Sequence, residues 1–300
     1  MANKSILVLG AGGMLGHMMI RVLSSNHDVF GTSRAQTSPD NPIAKVLSDE
    51  KWIDQVDVND QSRISLAIAR SKPDFVISCV GIVKQGIESQ LLANVMYVNS
   101  ELPHLLNAMC SQSGARLIHF STDCVFDCSE GSKKSSYKPN ATDVYGRSKA
   151  LGEINDDSAI TLRTSIIGRQ LYDHKSLVDW AIGNRGRSIK GFTNAIYSGL
   201  TTLELSRVVG KIINTKDPIT GLWQVASSPI SKFDLLSRLN MALGLDLAIE
   251  PWDDFVCDRS LDGKEFEMRT GIEIPSWDRM ISDFVDDNDF YKDIVIGAAS

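Results

Sequence analysis

Nowhere in this 300-residue chain does an apolar run approach the ~20 residues a membrane-spanning helix needs, which excludes such a helix from the reading. A basic excess is missing too. Against 31 Lys and Arg stand 37 Asp and Glu, a net charge of −6, whereas general nucleic-acid binding needs clustered positive charge. Cysteine is scarce: Cys79, Cys110, Cys124, Cys128 and Cys257 are scattered and odd in number, which argues against a disulfide framework and reads as a set of reduced thiols. Cys124 and Cys128 stand close, but neither a second pair nor a nearby histidine completes a zinc set, so no metal is expected. Internal repeats and low-complexity linkers are also absent. What is there is a hydrophobic content of 43% and a charged content of 23%, the balance of a globular chain with room for one large α/β domain and a lobe, or for two domains.

The acidic excess is local. Between Pro251 and Ser300 there are 13 Asp and Glu against 5 Lys and Arg, so an anionic small molecule meets little opposing charge over residues 1–250. At the N-terminus, Lys4 and the apolar stretch after it imitate a signal peptide. Gly10, Gly12, Gly13 and Gly16 interrupt that stretch, and His17 and Arg21 follow, which suits strand, turn and helix better. A soluble, cytoplasmic protein is expected.

Short apolar runs at Ile6 to Leu9, Val29 to Gly31, Phe75 to Val80, Leu117 to Phe120 and Ile160 to Leu162 read as buried strands. Helical stretches at Met14 to Leu23, Ser62 to Ser71, Ser89 to Gln112 and Tyr145 to Glu153 separate them, the rhythm of βαβ units. The fold class expected is α/β: a Rossmann-like doubly wound parallel sheet with a smaller C-terminal α+β lobe for substrate. Its first domain covers 1–168, with a helix and strand near 198–226 returning to it. The lobe takes 169–197 and 227–300.

Gly10, Gly13 and Gly16 lie between the first strand and the first helix, where glycine permits a tight turn and lets backbone amides approach a pyrophosphate. At the second strand end, Ser33 and Arg34 offer a guanidinium and no acid for a ribose hydroxyl, so NADP(H) fits better than NAD. Asp57 follows Val56 at the end of a third strand and could reach the adenine. Cys79, Val80 and Gly81 end the fourth strand at the sheet's carboxyl edge, where small residues admit a cofactor. Asn99, a polar residue inside a helix, needs a reason. Tyr145 and Lys149 share a helix face at i and i+4. The ammonium is expected to lower the phenol's pKa, and such a phenol can give a proton to a carbonyl as hydride arrives. Ser121, Thr122 and Asp123 end the fifth strand at the same edge.

Five motifs then carry a resemblance over nearly the whole chain. They are Gly10-x-x-Gly13-x-x-Gly16, Ser121-Thr122-Asp123-Cys124-Val125-Phe126, Asp143-x-Tyr145-Gly146-x-Ser148-Lys149-x-x-Gly152-Glu153, Leu162-Arg163-Thr164-Ser165 and Arg259-Ser260-Leu261-Asp262. The chain resembles the extended short-chain dehydrogenase/reductases and, within them, the dTDP-4-dehydrorhamnose reductase group. The resemblance implies that Tyr145 is the general acid, that Lys149 holds the nicotinamide ribose and assists it, and that Thr122 polarises the carbonyl. NADPH would reduce the 4-keto group of a 6-deoxy sugar on a nucleoside diphosphate, with Asn99 supporting the cofactor site. Met14, Leu15 and Val58 join the cofactor set. Lys84, Thr122, Asp123, Cys124, Ile166, Asn194, Tyr197 and Arg259 make up the substrate set. Lys190 and Lys232 read as solvated surface, and Trp223, Trp252 and Trp277 as packing. The resemblance is compatible with a homodimer and implies no nucleic-acid or membrane partner.

Two positions depart from the group: Cys124 stands where it has tyrosine, and Ile166 where it has tryptophan. Both adjoin the sugar in the family, so the chemistry stays and the sugar's identity shifts. Sugar dehydratases carry glutamate at the place of Cys124. Epimerases of the same fold commonly use NAD, against which Arg34 argues. A non-catalytic NADP-binding regulatory subunit resembling the methionine adenosyltransferase beta subunit is a further alternative, weighed against by the intact Thr122, Tyr145 and Lys149.

Overall fold

The apolar run at the N-terminus is buried from Ile6 onward in strand β1, Ser5–Leu9, as a strand covered on both faces must be. A computed structural model describes residues 3–36, 47–172 and 174–291. Parts of both expected regions (1–2, 37–46, 173 and 292–300) lie outside the described residues. After β1 come β2 (Asp28–Thr32), β3 (Trp52–Ile53), β4 (Phe75–Ser78), β5 (Arg116–Thr122) and β6 (Ala159–Thr164). With the strand Gly221–Gln224 they form a seven-stranded sheet in the order Gly221–Gln224, β6, β5, β4, β1, β2, β3. β1 pairs in parallel with both β2 and β4, so the strand order reverses beside β1, the crevice where open α/β sheets hold ligands.

The crossovers include helices α1 (Gly16–Leu23), α2 (Gln61–Ser71), α3 (Leu92–Met96), α4 (Leu102–Ser113) and α5 (Val144–Leu151). Asp60 starts α2 by accepting a hydrogen bond from the Ser62 amide. Leu7, Leu9, Ile64, Ile68, Val76, Leu106 and Leu117 pack one face of the sheet against α2 and α4. Each such side chain contributes on the order of 2 kcal/mol by leaving water.

Most elements shift by a residue or two from their expected bounds, and three departures have a visible cause. β4 stops at Ser78 rather than Val80, and Val80 turns toward the glycine loop, where a Cβ on Gly10 would lie 3.0 Å from its Cγ2. β3 ends at Ile53, because Gln55 takes a left-handed φ of 59° that a strand cannot continue through before Val56. The single helix expected from Ser89 to Gln112 is broken into α3, a π-helical turn at Tyr97–Glu101, and α4.

Two units emerge, each discontinuous in sequence. The first comprises Met1–Phe126, Lys138–Arg163 and Ser206–Trp223; the second, Asp127–Tyr137, Thr164–Leu205 and Gln224–Ser300. Residues 127–137, expected with the first region, group with the second instead, as do 164–168, 198–205 and 224–226. In the second unit Ser188–Phe192 pairs in parallel with Ala248–Trp252, and Ala195–Tyr197 lies between Ile230–Ser231 and Cys257–Asp258. Ala181, Ile189, Leu236, Leu245 and Leu247 form a core there. The reading of all five cysteines as free thiols is also corrected: Cys128 and Cys257, 129 residues apart, form a disulfide with their Cα atoms 4.4 Å apart. Spacing along the chain conceals this pair because only the fold brings residues 127–137 beside the strand Cys257–Asp258.

Candidate active site

The turn from β1 into α1 is built on close backbone approach. Gly10 has φ +76°, and a Cβ on Gly16 would lie 2.1 Å from the Gly10 carbonyl oxygen, so no side chain fits at either position. The Gly13 amide donates to the Gly10 carbonyl at 3.0 Å. The Gly10 amide donates to the Thr32 hydroxyl at 3.2 Å, fastening the loop to the end of β2. Gly13 is exposed and Met14 half-buried, while Leu15 packs inward, leaving open backbone at the N-terminus of α1 suited to a pyrophosphate. Gly81 is also exposed just past β4, near the half-buried Cys79 and Val80, so small residues leave the backbone open at this edge.

Ser33 is half-buried and Arg34 exposed beyond β2. Asp57 accepts from both the amide and the side chain of Asn59 at 2.9 Å, a tight local turn, and Val58 accepts from the Tyr97 hydroxyl at 3.0 Å.

Tyr145 enters on α5, whose start is capped by Asp143 accepting from the Gly146 amide at 2.9 Å. Lys84, expected among substrate contacts, reaches that cap, its ammonium 3.1 Å from the Asp143 carboxylate. A Cβ on Gly146 would lie 2.2 Å from the Cys124 carbonyl oxygen, which lets the helix press onto the 3₁₀ turn Asp123–Val125 at the end of β5. That approach places Tyr145 beside Thr122, whose hydroxyl acts on the phenol's titration. Thr122 also donates to Asp123 at 3.0 Å and accepts from the Cys124 amide at 3.1 Å. Lys149 is buried and donates to the Phe120 carbonyl at 2.7 Å.

Burial is the largest influence on both groups. It raises the Tyr145 pKa above the usual phenol range, with the Cys124 thiol adding to the rise and the Thr122 hydrogen bond opposing it. The expected lowering by Lys149 is therefore corrected. Lys149 itself is pulled down to about 8 by burial, with the Glu153 carboxylate opposing.

Beneath these lie Asn99, expected to support the cofactor site, and a charged pair that sequence reasoning missed. Asn99, wholly buried in the π turn, accepts from the Ile82 amide and donates to the Ile82 carbonyl, both at 2.9 Å. Its amide also donates to Ser148 of α5 at 3.1 Å, so it fixes the strap after β4 and the helix of Tyr145 together. Arg163 of β6 binds Glu153 through two bonds of 2.6 and 2.7 Å, and Ser121 donates to the same carboxylate at 2.6 Å. Both charges are buried, and the network ties the strand end before Thr122 to the chain just after α5. Glu153 and Arg163 stood in the quoted motifs without a role; the available signal was Arg163, a charge within the otherwise apolar strand β6.

In the second unit, Ile166 lies on the short strand Ile166–Ile167, paired in parallel with Leu200–Thr201. Asn194 donates to the Asp253 carbonyl at 3.1 Å. Tyr197 is 4% exposed, its ring 5.5 Å from Trp277 and 3.8 Å from the Lys232 ammonium. The Arg259 amide donates to the Ile196 carbonyl at 3.1 Å, which brings Arg259 beside the strand of Tyr197.

A family model described as the RmlD substrate binding domain matches residues 4–174. A probable low-salt glycan biosynthesis reductase from Haloferax volcanii is 28% identical over 258 residues, 81% of each chain. dTDP-4-dehydrorhamnose reductase of Mycobacterium tuberculosis is 32% identical over 162 residues, 51% of this chain and 46% of that one. The solved dTDP-4-dehydrorhamnose reductase of Bacillus anthracis, in complex with NADP, is 18% identical with a TM-score of 0.75 over 95% of this chain and 100% of that one, a likeness of fold.

Proposed function

We propose, on the premise that this chain belongs to the RmlD substrate-binding-domain family, that it is an NADPH-dependent reductase of the 4-keto group of a nucleoside-diphosphate 6-deoxy sugar. Such a product serves the building of deoxysugars and surface polysaccharides, and the Mycobacterium and Haloferax relatives bear names of that chemistry. The observation that carries the reading is Tyr145 beside Thr122 at the end of β5, with Lys149 buried on the same helix.

NADPH, when bound, supplies the hydride to the sugar's C4. Tyr145 gives its phenolic proton to the developing alkoxide on O4 and yields the alcohol. Its raised pKa keeps it in the protonated form a donor needs at neutral pH. Thr122 shares the hydrogen bond to that oxygen, and Lys149 holds the nicotinamide ribose and supplies positive charge beside the phenol. Gly10, Gly13, Met14, Leu15 and Gly16 take the pyrophosphate, and Arg34 takes the 2′-phosphate. Asp57 and Val58 take the adenine side, and Cys79, Val80 and Gly81 line the approach to the reactive ring. Asn99 supports that site from beneath, through Ile82 and Ser148. Asp123, Cys124 and Ile166 select the sugar, while Asn194, Tyr197 and Arg259 take the nucleotide end. Cytoplasmic residence belongs to the same reading, because both reactants are made there.

The test is a turnover screen of nucleoside-diphosphate 4-keto-6-deoxy sugars with NADPH, scored by product. At least one is reduced with net NADPH consumption, and Tyr145→Phe lowers its turnover by about 10² to 10⁴ while leaving NADPH binding in place. Undiminished turnover in Tyr145→Phe rejects the mechanism, and sugar interconversion without net NADPH consumption rejects the reaction.

A further inference from the structure

The proposed reaction makes no use of the one disulfide among the described residues. Cys128 is the second residue of the segment Asp127–Tyr137, which follows the strand end and turn that carry Thr122 and Cys124. Cys257 begins the strand Cys257–Asp258, two residues before Arg259, and ends an exposed stretch in which Phe255 is 49% and Val256 69% exposed. The bond therefore anchors both the return of chain from the catalytic turn and the strand of a proposed substrate residue.

It is not the only tie between them. The Lys133 amide donates to the Ser260 carbonyl at 3.0 Å, the Asp262 amide to the Lys133 carbonyl at 2.8 Å, and the Ser132 amide to the Ser260 hydroxyl at 2.8 Å. These bonds persist without the sulfur bridge, so breaking it loosens the segment and leaves the sulfurs close enough to rejoin. Access is asymmetric: Cys257 is 7% exposed, whereas Cys128 is half-buried. In a reducing compartment a disulfide is usually redox-responsive rather than a permanent staple.

We infer that Cys128 and Cys257 form a reversible thiol–disulfide modification site, read by dithiol reductants, that sets how firmly the second unit holds its nucleotide-sugar ligand. The effect on ligand and the reducing compartment rest on the function proposed above; the bond itself does not. A reductant thiolate attacks the more accessible sulfur, Cys128 Sγ; the S–S bond breaks and Cys257 leaves as a thiolate, which takes up a proton. The second thiol of the reductant then attacks the mixed disulfide, freeing Cys128 and leaving the reductant as its own disulfide. Two electrons pass to the protein, and a disulfide donor reverses the exchange.

Full-length protein purified without reductant is alkylated, digested and mapped before and after dithiothreitol. The peptides of Cys128 and Cys257 are expected joined before and separate after. Reduction lowers Tm by roughly 5–15 °C and raises KM for the sugar by roughly 5-fold or more, with NADPH affinity unchanged. Cys128→Ser and Cys257→Ser each match the reduced protein and no longer respond to dithiothreitol. Independent alkylation of the two cysteines after exposure to oxidised dithiothreitol overturns the site. A mapped bond whose reduction alters neither Tm nor KM overturns the switch. If the oxidised protein reduces no ketosugar at all, the functional reading falls, while mapping and melting still decide the disulfide.

Discussion

Lys149 is the group whose charge changes within the working range of pH. Burial lowers its pKa to about 8, so the ammonium is present below that pH and lost as pH rises through it. Tyr145 shifts the other way and stays protonated across the same interval. Reductive kcat/KM should therefore hold at neutral pH and fall above about 8 by about one log unit per pH unit, and Lys149→Met should give a low profile without that limb. Rates of NADPH oxidation from about pH 6 to about pH 10 check this; a wild-type profile flat across that range contradicts the assignment. That the two side chains share a helix face was legible from their spacing. The direction of the tyrosine's shift was not, because spacing reveals a nearby cation but not how deeply both groups are buried, and here burial is the largest influence while Lys149 is not among the influences on the phenol.

At the scale of elements, the reactive geometry depends on one helix lying unusually close to one turn. A methyl at Gly146 would meet the Cys124 carbonyl and, at 2.4 Å, the Ala141 Cβ. Gly146→Ala should cost about 1–3 kcal/mol by overpacking, and its displacement of Tyr145 should lower kcat by about 10²-fold. Calorimetry with steady-state kinetics measures both, and a full-rate variant would mean the helix can retreat without moving its tyrosine. The motif around Tyr145 shows in sequence that a glycine stands there, but not the carbonyl it accommodates. The helix that breaks at Asn99 is a similar case. Its apolar residues recur at helical spacing on both sides, and an i→i+5 turn has no residue signature of its own. The unexplained asparagine was the visible mark of it.

The alternation of strand and helix made the sheet legible as a whole, since buried parallel strands announce themselves as short apolar runs. The second unit was less so, because its strands are short and half exposed and its members are drawn from separated stretches. The first unit is also incomplete until late in the chain: β6 is buried along its whole length and has the strand Gly221–Gln224 at its outer side. A fragment of residues 1–164 leaves that apolar strand as an open edge and should aggregate in gel filtration. A monomer with native circular dichroism would show that the returning helix and strand are dispensable.

The polypeptide passes between its two units five times, at 126/127, 137/138, 163/164, 205/206 and 223/224. No single recombination breakpoint can therefore hand the second unit to another protein as a cassette while keeping the first whole. On the proposed function, new sugars are acquired in place, at positions such as Cys124 in the first unit and Ile166 in the second.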